Sequence, residues 1–197
     1  MSRVVLFDLG GVIVDLRGLE DFLARHDLAP SEFWPAWLEL GAGHRFESGQ
    51  STPDEFARAF LQQFDVDLSP EMFLEEFATW PSGLLSGAAE LVDELRSAGV
   101  TTATLSNTNP IHWTSPFNQN VIVPMFDRHF PSFELGLAKP VPAIFELVVE
   151  LLSEDPGEIT FLDDNQVNVE AARRAGLAAF HVRGPAEARR ALFPTRR

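Results

Sequence analysis

Four short apolar runs constrain the fold most strongly, because each run ends at polar or turn-forming residues. They occupy residues 3–7, 101–105, 159–162 and 178–182, and runs of this length between turn signals are typical of buried strands. Helical patterns bounded by Gly or Pro follow at residues 88–98, 143–152 and 167–175. Strands that alternate with helices predict an α/β fold with a doubly wound, mostly parallel sheet.

Polar side chains follow three of the predicted strands. Asp8 follows the first strand, Ser106 follows the second, and Asp163 and Asp164 follow the third. Sheets of this kind bind ligands at the carboxyl ends of their strands. We therefore expect these side chains to share one edge of the sheet.

A long segment interrupts the α/β pattern. Roughly 70 residues separate the first strand from the next core helix, whereas βα connections usually have about 2 to 6. This segment contains amphipathic helical patterns at residues 19–26, 32–40, 53–64 and 70–79. We predict an α/β core formed by residues 1–15 and 85–197, and a small helical bundle of residues 16–84 inserted after the first strand. Residues 183–197 are expected to be a loosely attached tail.

Composition excludes several kinds of chemistry. The 197 residues contain no cysteine, which removes disulfides, thiolate metal sites and cysteine nucleophiles. The formal net charge of −14 argues against nucleic acid or an anionic membrane as a partner. We find neither a membrane-spanning run nor a signal-peptide pattern, so we expect a cytoplasmic protein. An anionic substrate would need local cations, a metal ion or backbone N–H groups.

Four motifs occur in order along the chain and carry a resemblance. They are FDLGGVIVD at residues 7–15, LSNTN at 105–109, GLAKP at 136–140 and FLDDN at 161–165. Together they resemble the ordered motifs of the haloacid dehalogenase (HAD) superfamily phosphatases. The likeness is greatest to bacterial sugar-phosphate phosphatases of the glucose-1-phosphate phosphatase type. The resemblance implies a HAD-like Rossmannoid core, and the inserted bundle is similar to the superfamily's cap domain.

The resemblance implies a reaction and a cofactor. Asp8 would attack phosphorus and form an aspartyl-phosphate intermediate. Mg²⁺ would be held by Asp8, Asp164 and the backbone carbonyl of Gly10, with Asp163 in or near the coordination shell, which suits the oxygen ligands that Mg²⁺ prefers. Taken alone, Asp8 would be a turn residue after a strand, and the Asp163–Asp164 pair would be a solvated helix cap.

Two further motifs imply phosphate-binding groups. Ser106 and Asn107 would donate hydrogen bonds to the phosphoryl group. Lys139 would neutralise charge on the nucleophile and on the transferring oxygens, as both a catalytic and a phosphate-binding residue. The alternatives are a turn serine and a solvated surface lysine. Pro140 favours the functional interpretation, because it biases Lys139 away from helical geometry.

One position departs from the superfamily pattern. The general acid and base is usually a second Asp two residues after the nucleophile, and here that position is Gly10. A missing general acid removes about 10²- to 10⁴-fold in rate. Sugar 1-phosphates fit such a site, because an anomeric hydroxyl leaves with less protonation than an ordinary alcohol.

Several functions remain open at this point. The main prediction is a Mg²⁺-dependent phosphatase for small phosphate monoesters, acting as a monomer or homodimer. A metal-independent 2-haloacid dehalogenase would share the fold and nucleophile but would not need the Asp163–Asp164 pair. A catalytically impaired protein that binds phospho-ligands is motivated by Gly10, and a phosphomutase would transfer phosphate to a sugar. Asp15 is expected to mark the hinge into the cap.

Residues of the inserted bundle would choose the substrate, because a lid adds contacts that the phosphate site cannot supply. Aromatic residues at helical spacing are more often core, and a lone His in a loop is usually solvated. The candidates for pocket lining are His44, Arg45, Trp34, Trp37, Trp80 and His112.

Overall fold

The computed structural model describes residues 3–194, apart from the side chains of residues 38–40. Within that range the strands are β1 (Val4–Phe7), β2 (Val14–Asp15), β3 (Gly83–Leu84), β4 (Thr101–Ser106), β5 (Arg128–Pro131), β6 (Ile159–Asp163) and β7 (Ala178–His181). Five of these strands form one sheet in the order β5-β4-β1-β6-β7, and every neighbouring pair is parallel. The predicted doubly wound parallel α/β fold is confirmed.

In the core the helices alternate with these strands, whereas in the inserted segment five helices follow one another without a strand between them. Five lie between β2 and β3: α1 (Arg17–Arg25), α2 (Pro30–Leu40), α3 (Ala42–Glu47), α4 (Pro53–Phe64) and α5 (Pro70–Phe77). The others are α6 (Ala88–Ser97), α7 (Pro110–Trp113), α8 (Val123–Met125), α9 (Ser132–Leu135), α10 (Pro142–Leu152), α11 (Gln166–Arg174) and α12 (Gly184–Leu192). A π-helical turn at Asn118–Ile122 and a 3₁₀ turn at Pro156–Glu158 complete the set.

Helices cover both faces of the sheet, as alternating buried side chains in β1 require. Val5 and Phe7 pack with apolar residues of α6 and α12 on one face. Val4 and Leu6 pack with apolar residues of α10 and α11 on the other. Successive residues of a strand point to opposite faces, so a central strand buried on both sides is apolar throughout.

The inserted helices have an apolar cluster of their own, and it is mainly aromatic. Phe60 lies at its centre, with ring centroids 4.3 Å from Phe73 and 4.6 Å from Phe64. The buried aromatic members are Phe22, Phe33, Phe46, Phe56, Phe60, Phe73, Phe77 and Trp80. We call α1–α5 the cap and the five-stranded sheet with its helices the core. The predicted domain boundaries, at residues 15/16 and 84/85, stay a proposal. The separate apolar cluster of the cap supports them.

A two-stranded antiparallel sheet joins the cap to the core. Asp15 of β2 lies opposite Gly83 of β3, and the backbone N–H of Ser82 donates to the Asp15 carbonyl at 2.8 Å. The chain therefore enters and leaves the cap side by side. Asp15 binds the Arg17 guanidinium at 2.7 Å, as suits a residue at the entrance to the cap rather than in the site.

The prediction of a loosely attached tail is wrong for the described residues. The segment after β7 forms α12, in which Ala188 is fully buried against the core and Arg189 pairs with Glu94 of α6. Pro185 and Ala188 are the buried residues of α12, and Ala191 and Leu192 pack against the core partly buried. Small residues and proline make up most of this contact, so the helix has no strong apolar pattern in the sequence. Residues 195–197 of the predicted tail lie outside the described residues. Within the described part of the chain, every helix is too short or too polar to cross a lipid bilayer.

Candidate active site

The carboxyl ends of three adjacent strands bring the predicted site residues together. Asp8 directly follows β1, Asp163 ends β6, and Ser106 ends β4. The backbone N–H of Asp8 donates to the carbonyl of Leu162 at 2.8 Å, which continues the ladder between β1 and β6 up to the site. The strand register alone therefore places these groups at one edge of the sheet.

Lys139 bridges two of the carboxylates. Its ammonium group donates to Asp8 Oδ1 at 2.8 Å and to Asp163 Oδ2 at 2.7 Å, and its side chain is 1% exposed. The aromatic ring of Phe161 lies beneath the ammonium group, 5.4 Å from Nζ to the ring centroid. A buried charge needs such compensation, because desolvation without partners is costly.

Lys139 is held in place through its backbone. The amide nitrogen of Asn107 donates to the Lys139 carbonyl at 2.9 Å, and the Lys139 N–H donates to Asn107 Oδ1 at 2.8 Å. Asn107 therefore links the end of β4 to the loop before α10. The amide has one N–H left over, so the predicted role of Asn107 in phosphate binding stays a prediction.

Asp163 is enclosed by donors. Besides Lys139, its carboxylate accepts from the backbone N–H of Asn165 at 2.7 Å and from the side-chain amide of Asn168 at 3.1 Å. It is completely buried. These bonds orient Asp163 toward Lys139, which favours a supporting role over direct metal ligation. Asn168 was missed in the sequence, because an asparagine within a helix carries no signal of its own.

Asp164 has a different environment. It is partly buried, and no ion pair to its carboxylate is present among residues 3–194. Burial raises the pKa of Asp164, Asp163 raises it further, and Lys139 lowers it. A Cβ atom at Gly11, whose φ is +68°, would overlap the Asp164 carboxylate. Glycine at this position is therefore required for the close approach of Asp164 to the loop after β1.

The carboxylates of the site are close enough together to bind a divalent cation. One carboxylate oxygen from each of Asp8, Asp163 and Asp164 lies within 4.8 Å of the others. Burial raises the pKa of Asp8; Lys139 opposes this shift, while Asp163 and Asp164 add to it. One lysine among three carboxylates leaves excess negative charge, and oxygen ligands are those that Mg²⁺ prefers. Asp8 and Asp164 fit the ion, and the predicted contribution of the Gly10 carbonyl stays a prediction.

The remaining predicted phosphate ligand has an uncommitted hydroxyl. Ser106 is 5% exposed, and its Oγ makes only a long contact of 3.4 Å to the Asn107 carbonyl, a distance at which hydrogen bonds are weak. The hydroxyl of Ser106 can therefore turn toward a ligand without breaking a strong internal bond.

One core residue contacts the cap directly. His112 of α7 is partly buried against the cap, where its ring stacks on Phe77 at 4.2 Å between centroids. Its Nε2 donates to the Phe77 carbonyl at 2.7 Å, and its Nδ1 accepts from the Asn109 amide at 3.1 Å. The expectation of a solvated loop histidine is wrong, since α7 brings His112 under the cap. No sequence signal foretells this long-range contact.

The cap residues proposed for the pocket lie mostly elsewhere. Trp37 and Trp80 belong to the aromatic cluster, as their helical spacing indicates. Trp34 is 46% exposed, and His44 and Arg45 are also exposed. Sequence reasoning missed one cap residue, Glu47. Burial raises the pKa of its carboxyl group, Lys139 lowers it and Asp8 raises it, so its charge lies within electrostatic range of both residues. This long-range proximity could not be read from the local sequence.

These features define a class: an enzyme built on a doubly wound α/β sheet, with carboxylates and one lysine at the strand ends. The model of the haloacid dehalogenase-like hydrolase family matches residues 2–176. The chain belongs to this family.

Known proteins similar to this chain cover nearly its whole length. D-ribitol-5-phosphate phosphatase of Bacteroides thetaiotaomicron is 25% identical over 201 residues, covering 98% of this chain and 97% of its own. A crystal structure of a HAD-family enzyme from the same organism has a TM-score of 0.77 at 26% identity and covers 98% of each chain. A HAD-family structure from that organism in complex with magnesium and inorganic phosphate has a TM-score of 0.71 at 26% identity, covering 91% of this chain and 93% of its own.

Proposed function

We propose that this protein is a Mg²⁺-dependent phosphatase that hydrolyses small phosphate monoesters through a covalent aspartyl phosphate on Asp8. The observation that carries the proposal is the buried bridge from Lys139 to Asp8 and Asp163, with Asp164 alongside. The similarity to a ribitol-5-phosphate phosphatase and to a structure holding magnesium and phosphate supports it. A cytoplasmic location is part of the proposal.

The nucleophile is oriented by its surroundings. Lys139 binds Asp8 Oδ1, which fixes the carboxylate plane and leaves its other oxygen available. Attack on phosphorus forms the bond from the Asp8 oxygen to phosphorus and breaks the bond to the leaving oxygen. Water then attacks the phosphorus atom, releases inorganic phosphate and restores the Asp8 carboxylate.

The cations of the site act on the phosphoryl group. Lys139 is buried beside Asp8, where its charge can attract the oxygens of an incoming phosphoryl group and favour in-line displacement. Ser106 supplies a hydroxyl donor from the neighbouring strand. Mg²⁺ held by Asp8 and Asp164 would supply positive charge that screens the carboxylates from the phosphate. The net charge of −14 makes such local compensation necessary.

The paired acidic groups distinguish this function from dehalogenation. A metal-independent dehalogenase has no need for Asp164 as a free carboxylate next to the nucleophile. Release of halide from a 2-haloacid without metal would favour that alternative. Transfer of phosphate to a sugar rather than to water would identify a phosphomutase.

The test measures phosphate release from a panel of esters, with Mg²⁺ and with chelator, for the wild type, Asp8→Asn and Asp93→Asn. Asp93 is an exposed carboxylate on α6 and serves as the matched control. We expect metal-dependent turnover that Asp8→Asn lowers by about 10⁴-fold or more and Asp93→Asn leaves unchanged. Tight ester binding without any turnover would instead favour a phospho-ligand-binding protein.

Substrate preference within the monoesters is a finer part of the proposal. A site without a proton donor at Gly10 would favour sugar 1-phosphates, because the anomeric oxygen departs with little protonation. Glucose 1-phosphate and glucose 6-phosphate, measured side by side, test this preference. Equal turnover of the two esters would show that the site does not depend on an easy leaving group.

A further inference from the structure

Glu47 ends α3, and its backbone is fastened to the core. The Glu47 carbonyl accepts a hydrogen bond from the hydroxyl of Ser132, the first residue of α9. The same hydroxyl accepts from the backbone N–H of Thr108 at 2.9 Å. Thr108 belongs to the LSNTN motif that follows β4, so one serine connects the end of α3 to the segment after the phosphate-binding residues.

The residues after Glu47 lie unusually close to the core. Gly49 has a φ of +70°, and a Cβ atom there would lie 2.5 Å from the Phe133 carbonyl. Ser48 is 2% exposed and donates to the His44 carbonyl at 2.7 Å. The short segment of residues 47–49 is therefore fixed in position against α9, and the Glu47 side chain starts from a fixed backbone.

The Glu47 carboxylate is near the reacting groups but is not committed to them. Its charge interacts with both Lys139 and Asp8. Within residues 3–194, no hydrogen bond or ion pair to this carboxylate is present. A partly buried carboxylate that shares the interior of the site with Lys139, but does not bind it, is available to a substrate.

The direction of the reaction places the leaving group on the cap side. In-line displacement requires the leaving oxygen to lie opposite the attacking one. Asp8 attacks from the strand ends, so the leaving oxygen points away from the sheet, toward the cap. Gly10 lies two residues after Asp8, at the position where the superfamily pattern usually has the general acid, and it offers no side chain.

We propose that Glu47 is the general acid and base of this enzyme, acting from the cap on the leaving oxygen and then on water. The inference rests on the proposed phosphatase function. In the first step the protonated Glu47 gives its proton to the leaving oxygen as the bond from phosphorus to that oxygen breaks. In the second step the Glu47 carboxylate accepts a proton from water as the water oxygen attacks phosphorus and the Asp8 oxygen departs.

The environment of Glu47 suits both steps. Burial raises the pKa of Glu47 to about 7, while Lys139 lowers it and Asp8 raises it. A general acid and base works best when its pKa lies near the working pH, because both protonation states are then populated.

The experiment compares first-turnover rates of the wild type, Glu47→Gln and Glu75→Gln on two esters. Glu75 is an exposed cap carboxylate and is the matched control. p-Nitrophenyl phosphate has a leaving group that needs no proton, whereas glucose 6-phosphate releases an ordinary alcohol. We expect Glu47→Gln to slow the first turnover of glucose 6-phosphate by about 10²-fold or more and that of p-nitrophenyl phosphate by less than about threefold.

A second readout follows the covalent enzyme. With p-nitrophenyl phosphate, Glu47→Gln should form the aspartyl phosphate at the normal rate and hydrolyse it slowly, because no base activates water. Intact-mass measurement after a rapid quench should therefore find the phosphorylated form accumulating in this variant and not in Glu75→Gln. Near-ultraviolet circular dichroism checks that the variant is folded.

Other outcomes separate this inference from the function on which it rests. Equal losses of the two first-turnover rates in an active enzyme would overturn the inference alone, since a structural role does not distinguish leaving groups. Unchanged rates on both esters would also overturn it, and faster rates would identify Glu47 as an obstruction. No phosphate release by the wild type would overturn the proposed function, and the inference with it.

Discussion

The two surfaces that meet above Asp8 differ in how their charges are compensated. On the core side, Lys139 binds Asp8 and Asp163, and Asp163 has further donors in Asn165 and Asn168. On the cap side, Glu47 is held by its backbone, and its carboxylate is left without a partner among the described residues. Charge on the core side is therefore compensated within the protein, whereas the carboxylate on the cap side has no such hydrogen bond or ion pair.

The hydrophobic clusters of the core and of the cap also differ, in the type of residue that forms them. The clusters of the core are mainly aliphatic with a few aromatic rings, and they lie on a hydrogen-bonded sheet, whereas the cluster of the cap is mainly aromatic and lies among short helices. Preorganised groups stabilise a transition state without rearranging at the moment of reaction. The cap is a separate group of helices, and the two-stranded sheet joins it to the part of the molecule that carries these groups.

The largest effect on both activity and stability is expected at Lys139. Replacing it with Met should abolish turnover and lower the free energy of unfolding by about 3–5 kcal/mol, because Asp8 and Asp163 would be buried without a cation. Asp8→Asn should abolish turnover yet leave the stability equal or higher, since it keeps the bridge to Asp163 and removes a carboxylate whose pKa burial raises. Urea unfolding at neutral pH measures both. Similar destabilisation by both variants would show that Lys139 and Asp8 support the fold equally.

Acid should loosen the cap side through His112. Burial lowers the pKa of His112 to about 4, although its bond to the Phe77 carbonyl opposes the shift. The unfolded chain, with a histidine pKa of about 6.5, binds the proton first as the pH falls. His112 should therefore cost up to about 3 kcal/mol of stability between pH 6.5 and 4, with no cost above that window.

The difference between wild type and His112→Gln isolates this contribution from the carboxylates, which titrate in both proteins. Urea unfolding at several pH values should show the wild type losing stability relative to the variant as the pH falls. Parallel curves for the two proteins would mean that His112 is charged or solvated in the folded state.

The smallest expected effect comes from moving the proton donor from the cap to the core. A Cβ atom at Gly10 would meet only the flexible end of Leu16, 3.2 Å from its Cδ1. Adding Gly10→Asp to Glu47→Gln should recover about tenfold of the first-turnover rate on glucose 6-phosphate. Gly10→Asn in the same background is the control, and equal recovery by both substitutions would rule out proton transfer as the cause.

Sequence patterns predict the central strands and most helices, because local apolar periodicity decides them. β5 escaped prediction because its four residues are Arg128, His129, Phe130 and Pro131, at a sheet edge where one face is exposed and Pro is tolerated. The six-residue helix α3 lies between glycines and has no full apolar stripe. Both elements matter, since β5 leads into Ser132 and α3 ends at Glu47.

The residues of the site also fall into those that the sequence predicts and one that it does not. Asp8, Lys139, Asp163 and Asp164 lie in short motifs at strand ends, so sequence spacing alone brings them to one edge. The placement of Glu47 depends on how the cap closes, through Ser132 and Gly49, and no local pattern records this contact. Sequence reasoning identified the missing acid at Gly10, but only the three-dimensional contacts point to a replacement.

Lys139 has a consequence beyond catalysis, because it is the only lysine in the 197 residues. Its ε-amino group is 1% exposed and shielded by two carboxylates, and acylating reagents need an amine that is both accessible and unprotonated. The folded protein thus presents no reactive lysine at all, which is unusual for a polypeptide of this size. Acylation counted by mass, with the α-amino group as internal reference, would measure how often the Lys139 ammonium group becomes exposed.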